Sequence, residues 1–266
     1  MPNIQEIKVR SILSQSKLPG VDFVINPYRG CQHACVYCYA CFMQKFDGHS
    51  EPWGTYVDVK SNALEILTRQ LAKCHNRTVY LSSVCDPYQP VEAEYQLTRQ
   101  ILKHLIIAQP QLTVQTKSAL VIRDLDLLKR FKICSVGMTI VTTDENLRRE
   151  IEPGASPIAA RIDALKQLKA AGLETYVFVG PILPYLTGWK QIVLQTREFI
   201  DYYMFDHTNP SGRIWSHIKS WLIAKHPELL SSYEKILFGH SDYWWRVSRA
   251  IQDFCDKENI NHQIFF

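Results

Sequence analysis

Short apolar runs rich in β-branched and aromatic residues alternate along this chain with longer stretches whose apolar positions recur at helical spacing. Strands are predicted over 21–26 (VDFVIN), 78–84, 112–118, 134–141, 174–183 and 201–206. Helices are predicted between them, over 62–75, 94–108, 123–131, 156–172 and 189–200. The helix at 156–172 has Ser156 as its cap, Pro157 in its first turn and Gly172 just past its end. Strands of near-continuous apolar character, each followed by a helix, belong to a parallel sheet covered by helices. The pattern therefore predicts an α/β fold, a partial (β/α)6 TIM-type barrel spanning residues 1–211, with ligands at the C-terminal ends of the strands. Residues 212–266 read as a helical, aromatic-rich extension (Trp215, Trp221, Tyr243, Trp244, Trp245) packed on that core, over its open side.

Composition narrows this little. The 266 residues suit one barrel or two small domains, and the net charge of +4 comes without a block of like charges. That leaves nucleic acid open as a partner without pointing to it, since a dedicated binder concentrates its cations in a stripe. No apolar run approaches the roughly 18 residues that span a bilayer, so no membrane partner is expected. The first residues lack a secretory apolar core, and the expected location is cytoplasmic. In a reducing compartment, clustered cysteines point to metal or catalysis rather than disulfides.

Three of the eight cysteines lie in "GCQHACVYCYA", where Cys31, Cys35 and Cys38 are spaced C-x3-C-x2-C. A structural zinc site wants four ligands, and His33 is the available fourth. A cubane iron–sulfur cluster also prefers four thiolates; with three, one iron is left open to bind a cofactor. Cys41 reads as a buried residue one helical turn beyond Cys38, and Cys74, Cys134 and Cys255 as packing residues. Cys85 ends the second predicted strand and should face the barrel mouth, where a thiol is either a hydrogen-atom donor or a small buried residue. Asp86-Pro87 reads as a turn at the same face, with Asp86 a candidate for cofactor or substrate contact. Lys117 ends the third strand, where a cation can neutralise a carboxylate or simply point to solvent.

The cysteine loop, with an aromatic before its last cysteine and a strand before it, resembles the signature of the radical S-adenosylmethionine superfamily. "NPYRGCQHACVYCYA", "CDPYQPVEAEYQLTR", "QTKSALVIRDLDLL", "TTDENLRREIEPGASPIAARIDALKQLKAAGLET" and "GPILP" follow in order and resemble the branch related to spore photoproduct lyase, over roughly residues 20–210. The resemblance implies one [4Fe–4S] cluster on Cys31, Cys35 and Cys38. It implies S-adenosylmethionine cleaved to a 5′-deoxyadenosyl radical that abstracts hydrogen from substrate. It also implies Tyr37 beside the adenine, Lys117 on the methionine carboxylate, Thr139 in place of a cofactor-contacting serine, and Cys85 near a hydrogen-donating cysteine, though offset from it. Glu152 and Arg161 recur in the branch, and a helix-surface pair explains them equally well. The implied partners are an electron donor such as flavodoxin or ferredoxin and a small-molecule substrate, nucleoside- or nucleotide-like by kinship. DNA photoproduct repair, modification of a peptide or natural product, and a non-enzymatic zinc-binding module are the alternatives.

Overall fold

A computed structural model describes residues 2–211 and 213–266. Its strands are β1 (Asn3–Ile7), β2 (Leu13–Gln15), β3 (Phe23–Ile25), β4 (Tyr28–Arg29), β5 (Tyr56–Lys60), β6 (Thr78–Leu81), β7 (Gln111–Thr116), β8 (Cys134–Thr139), β9 (Glu174–Ile182), β10 (Tyr202–His207) and β11 (His262–Ile264). The main sheet has the order β11-β10-β9-β8-β7-β6-β3-β2. Only β2 runs antiparallel to its neighbour; the other pairs are parallel. All six predicted strands are present as β3 and β6–β10, and they form the partial barrel that the alternation implied.

The helices cover one face. Leu97–Ala108 buries Ile101, Leu102 and Leu105, and Ile158–Ala170 buries Ile158, Leu165 and Leu168, against Val79, Leu81, Val114, Val136 and Met138 of the strands. Complete burial of such side chains contributes roughly 1.5–3 kcal/mol each. The opposite, concave face is not apolar, which corrects the near-continuous pattern read from the strands. Tyr80, Gln115, Thr139, Tyr176 and Tyr202 alternate with the buried aliphatics and point the other way. Tyr202 pairs in register with Tyr176, and their rings stack at 5.0 Å.

Four local readings differ from the structure. Gln96, at φ +48°, breaks the predicted 94–108 helix into Glu92–Tyr95 and Leu97–Ala108. The 123–131 helix is a 3-10 segment, Ala119–Asp124, followed by one turn at Leu125–Leu128. Ser156 does not cap its helix; its hydroxyl oxygen accepts from the Ala119 amide at 2.9 Å instead. A second, three-stranded sheet of order β1-β5-β4 forms from residues for which no strand is predicted.

The division expected at Gly212 falls on a residue outside the described ones. Beyond it, Arg213–Lys225 and Leu230–Phe238 pack Ile218, Trp221, Leu222 and Tyr233 onto Cys35, Tyr37 and Cys41 in a second apolar cluster. The helix Tyr243–Lys257 then leads to β11, which extends the sheet past β10. The extension is thus helical and also contributes a strand.

Candidate active site

The cysteine loop leaves the small sheet at β4 and lies over the C-terminal ends of the parallel strands. Its path is fixed by backbone contacts. Ala34 N–H donates to Cys31 O at 3.2 Å, Cys38 N–H to Cys35 O at 3.1 Å, and Val36 N–H to Ile151 O at 2.9 Å. Gly154 lies so close beneath that a Cβ there would collide with the Gln32 carbonyl. Gly30 turns the chain into the loop at φ +73°, a conformation that favours glycine.

All eight cysteines are free. Cys31 and Cys35 are buried and Cys38 half-buried. Burial pushes all three thiols up; the Lys117 ammonium pulls Cys35 and Cys38 back. Buried thiols deprotonate only against a cationic centre, and Lys117 alone does not overcome burial. This donor set therefore fits a thiolate-bound iron cluster. Among the described residues no three His, Cys, Asp or Glu side chains converge on a single metal ion. His33, the candidate fourth zinc ligand, turns its Nδ1 to Asp86 Oδ2 at 3.3 Å. Cys41 is buried, in the 3-10 turn after Cys38.

Lys117 follows directly on β7. Its ammonium stands 5.8 Å from the centre of the Tyr37 ring. Burial opposes the lysine's charge, but Cys35, Glu152 and Asp86 around it outweigh that and hold its pKa at about 12. The Tyr37 ring is buried and its hydroxyl donates to Glu152. Glu152 pairs with Arg161 at 2.6 Å, both essentially without solvent contact. Arg161 also donates to the Thr139 carbonyl at 3.0 Å and the Ser156 carbonyl at 2.8 Å. Of the two readings of this pair, the helix-surface one does not hold: the structure buries both charges under the cysteine loop. Thr139 is the last residue of β8, and its Oγ1 accepts from Gln115 at 3.3 Å.

Asp86 uses both oxygens within the protein. Oδ1 accepts from Thr116 Oγ1 at 2.6 Å and the Tyr88 amide at 2.9 Å, and Oδ2 from the Lys117 amide at 2.8 Å. Burial alone would raise its pKa, but His33 and these donors hold it at about 2. Asp86 is thus an anionic tie between the cysteine loop, its own turn and the end of β7. Cys85 lies four residues past β6 rather than at its end. Its Sγ is 2.9 Å from Ser82 Oγ and donates to Asn26 Oδ1 at 3.9 Å. Burial raises the thiol to about 11, so it stays protonated near neutral pH. Tyr39 donates its hydroxyl to the Ser83 carbonyl and so bridges the loops of Cys38 and Cys85.

A half barrel of parallel strands, capped at its C-terminal rim by a three-cysteine loop, defines the chain as a member of the radical S-adenosylmethionine superfamily. The model of that superfamily matches residues 25–192. The family uses a [4Fe–4S] cluster and S-adenosylmethionine, and the chain is an enzyme of that kind. An uncharacterized protein of Methanocaldococcus jannaschii is 40% identical over 233 residues, 88% of this chain and 86% of that one. A radical SAM Nalpha-GlyT isomerase of Pseudomonas phage M6 is 27% identical over 162 residues, 60% of this chain and 33% of that one. Among solved structures, spore photoproduct lyase with bound AdoMet and dinucleoside spore photoproduct superimposes with TM-score 0.62 at 17% identity. The match covers 84% of this chain and 67% of the lyase. Streptococcus suis SuiB bound to S-adenosylmethionine gives TM-score 0.61 at 12% identity, over all of this chain and 51% of that one. No helix among the described residues is long and apolar enough to cross a membrane.

Proposed function

We propose that the chain abstracts a hydrogen atom from a nucleoside- or nucleotide-like substrate and returns one through Cys85. The observation that carries this reading is the cysteine loop itself, two of its thiols buried and one half-buried, with the Lys117 ammonium over Tyr37 and the protonated Cys85 thiol on the loop that Tyr39 ties to it. When bound, a cluster on Cys31, Cys35 and Cys38 supplies the electron that splits S-adenosylmethionine to methionine and the abstracting radical. Lys117 supplies a cation for the methionine carboxylate. The Glu152–Arg161 pair fixes the Tyr37 ring, which forms a flat wall beside Lys117. Thr139 offers a hydroxyl on the barrel side.

The concave wall supports a planar substrate. Tyr80 donates to Gln115 Oε1 at 2.8 Å, and half-buried Tyr202 presents the outer ring of the tyrosine stack. Stacked faces beside an amide suit a base more than a flexible peptide. The dinucleoside held by the spore photoproduct lyase that shares this fold supports the same choice. Eight free cysteines suit a reducing cytoplasm, with flavodoxin or ferredoxin as electron donor. After Cys85 gives its hydrogen atom to the product radical, its sulfur regains one electron from that donor and one proton from solvent. We also propose that residues 1–211 form the catalytic core and 212–266 its cover.

The test uses deuterated solvent, a panel of nucleosides, nucleotides and short peptides, and mass spectrometry. A nucleotide that raises 5′-deoxyadenosine formation is expected to yield product with one solvent-derived deuterium, because a thiol exchanges with water. In Cys85→Ala, cleavage of S-adenosylmethionine should persist at the wild-type rate within about twofold while that deuterium disappears. Stimulation by peptides alone would sink the substrate assignment, and unchanged labelling in Cys85→Ala would sink the role of the thiol.

A further inference from the structure

The small sheet β1-β5-β4 and the β2 edge of the main sheet border a half-open cavity of about 490 Å³. Lys8, Arg10, Arg29 and Lys60 line it, with Asp47 the one carboxylate on its wall. Asp47 lies 3.8 Å from Arg29. Among the described residues, none of Lys8, Arg10 and Lys60 is held in an ion pair. The Lys60 ammonium donates only to the Asn26 carbonyl, at 2.6 Å, and burial lowers its pKa. Four cations against one carboxylate leave a net charge of +3 around a single cavity, an arrangement that gains stability when an anion enters.

The cavity is also joined to the site already described. Asn26, on its wall, accepts at Oδ1 from the amides of Ser83 at 2.9 Å and Val84 at 3.0 Å and from the Cys85 thiol. Val84 itself is on the lining, and so is Gly30, which leads into Cys31. An anion in the cavity is therefore a neighbour of the loop that presents Cys85.

We infer that this cavity is an oxyanion subsite that holds a phosphate group of the substrate beside the Cys85 loop. Lys60 and Arg10 are its main charge donors, Lys60 from the wall and Arg10 from the exposed edge. That the phosphate belongs to the substrate rests on the nucleotide-like reading above; the presence of the subsite does not. The phosphate is a monoester if the substrate is a free nucleotide and a diester if it is a nucleic-acid backbone.

Calorimetric titration of the full chain with inorganic phosphate, thymidine, thymidine 5′-monophosphate and thymidylyl-thymidine tests this directly. The phosphate-bearing ligands should bind, thymidine at least tenfold more weakly, and affinity should fall as salt is raised. Lys60→Met and Arg10→Ala should each weaken phosphate binding roughly tenfold, as loss of one charged hydrogen bond does, while Lys73→Ala, off the cavity, leaves it unchanged. Arg10 is exposed, so its variant reports on the subsite even if Lys60→Met lowers the melting temperature. Tighter binding of the monoester assigns a free nucleotide, and of the dinucleotide a nucleic-acid backbone. No binding of any phosphate, or binding that survives both substitutions, overturns the subsite. Lys60-dependent binding of inorganic phosphate with no nucleotide raising 5′-deoxyadenosine formation keeps the subsite and overturns its assignment to the substrate.

Discussion

Replacing Cys35 by alanine is expected to abolish 5′-deoxyadenosine formation and to drop the iron of the anaerobically reconstituted protein from about four per chain to less than half of that. Cys35 is buried beside Tyr37 and Lys117, against the helices that follow residue 212. Cys41 is the nearest spare sulfur in sequence, but it is buried in the 3-10 turn after Cys38, and burial holds its thiol protonated. His33→Ala serves as the companion variant. Because His33 faces Asp86, its loss should leave iron content and cleavage largely intact. Zinc bound in place of iron, lost equally in both variants, would return the loop to a structural role and refute the radical reading.

Arg161→Met is expected to be the most destabilising single substitution around the site. It strands the Glu152 carboxylate beneath the cysteine loop with Tyr37 as its remaining hydrogen-bond partner. Breaking one side of a buried ion pair costs about 3–5 kcal/mol, or roughly 10 °C in melting temperature for a chain of this size. Removing both charges in Glu152→Gln/Arg161→Met should recover at least half of the loss, since an uncharged pair has no stranded ion. The double variant should nevertheless cleave S-adenosylmethionine more slowly. The Tyr37 hydroxyl no longer meets a carboxylate, and Lys117 loses one of the negative groups that hold it in place. Thermal melts and initial rates of 5′-deoxyadenosine formation separate the two effects. A double variant as unstable as the single one would show that the pair contributes packing rather than charge compensation.

The six core strands were legible because their β-branched runs are punctuated by helical periodicity, and the cysteine loop because its spacing is dense in one residue type. Other features were hidden for identifiable reasons. The two strands β4 and β11 are of two and three residues, too short for a period to show. Gln96 and Gln109 adopt positive φ without being glycine, so the helix break at 96 has no residue signature. For Glu152 and Arg161, recurrence in the branch and a helix-surface pair explain the sequence equally well. Yet Arg161 occupies the stripe of Ile158, Leu165 and Leu168, and that spacing marks it as facing inward. Tyr80 and Gln115 interrupt their strands at a period of two, the signature of a sheet with two different faces. Cys85 was displaced because β6 ends at Leu81 and the chain then turns through Ser82, at φ +73°. The cationic cavity could not have been found from residue order, since Lys8, Arg29 and Lys60 meet only through the small sheet.

The main sheet has one further property. From β2 to β11, its strands stand side by side in the order in which they occur along the chain. During synthesis each strand can therefore dock on the one made just before it, and none has to be threaded between two already in place. At roughly 5–20 residues per second on the ribosome, Cys31, Cys35 and Cys38 emerge several seconds before Lys117, Glu152 and Arg161. The helices that seal Cys35 and Tyr37 emerge later still. The order of translation thus leaves the three thiols open to iron delivery while the roof over them is still being made.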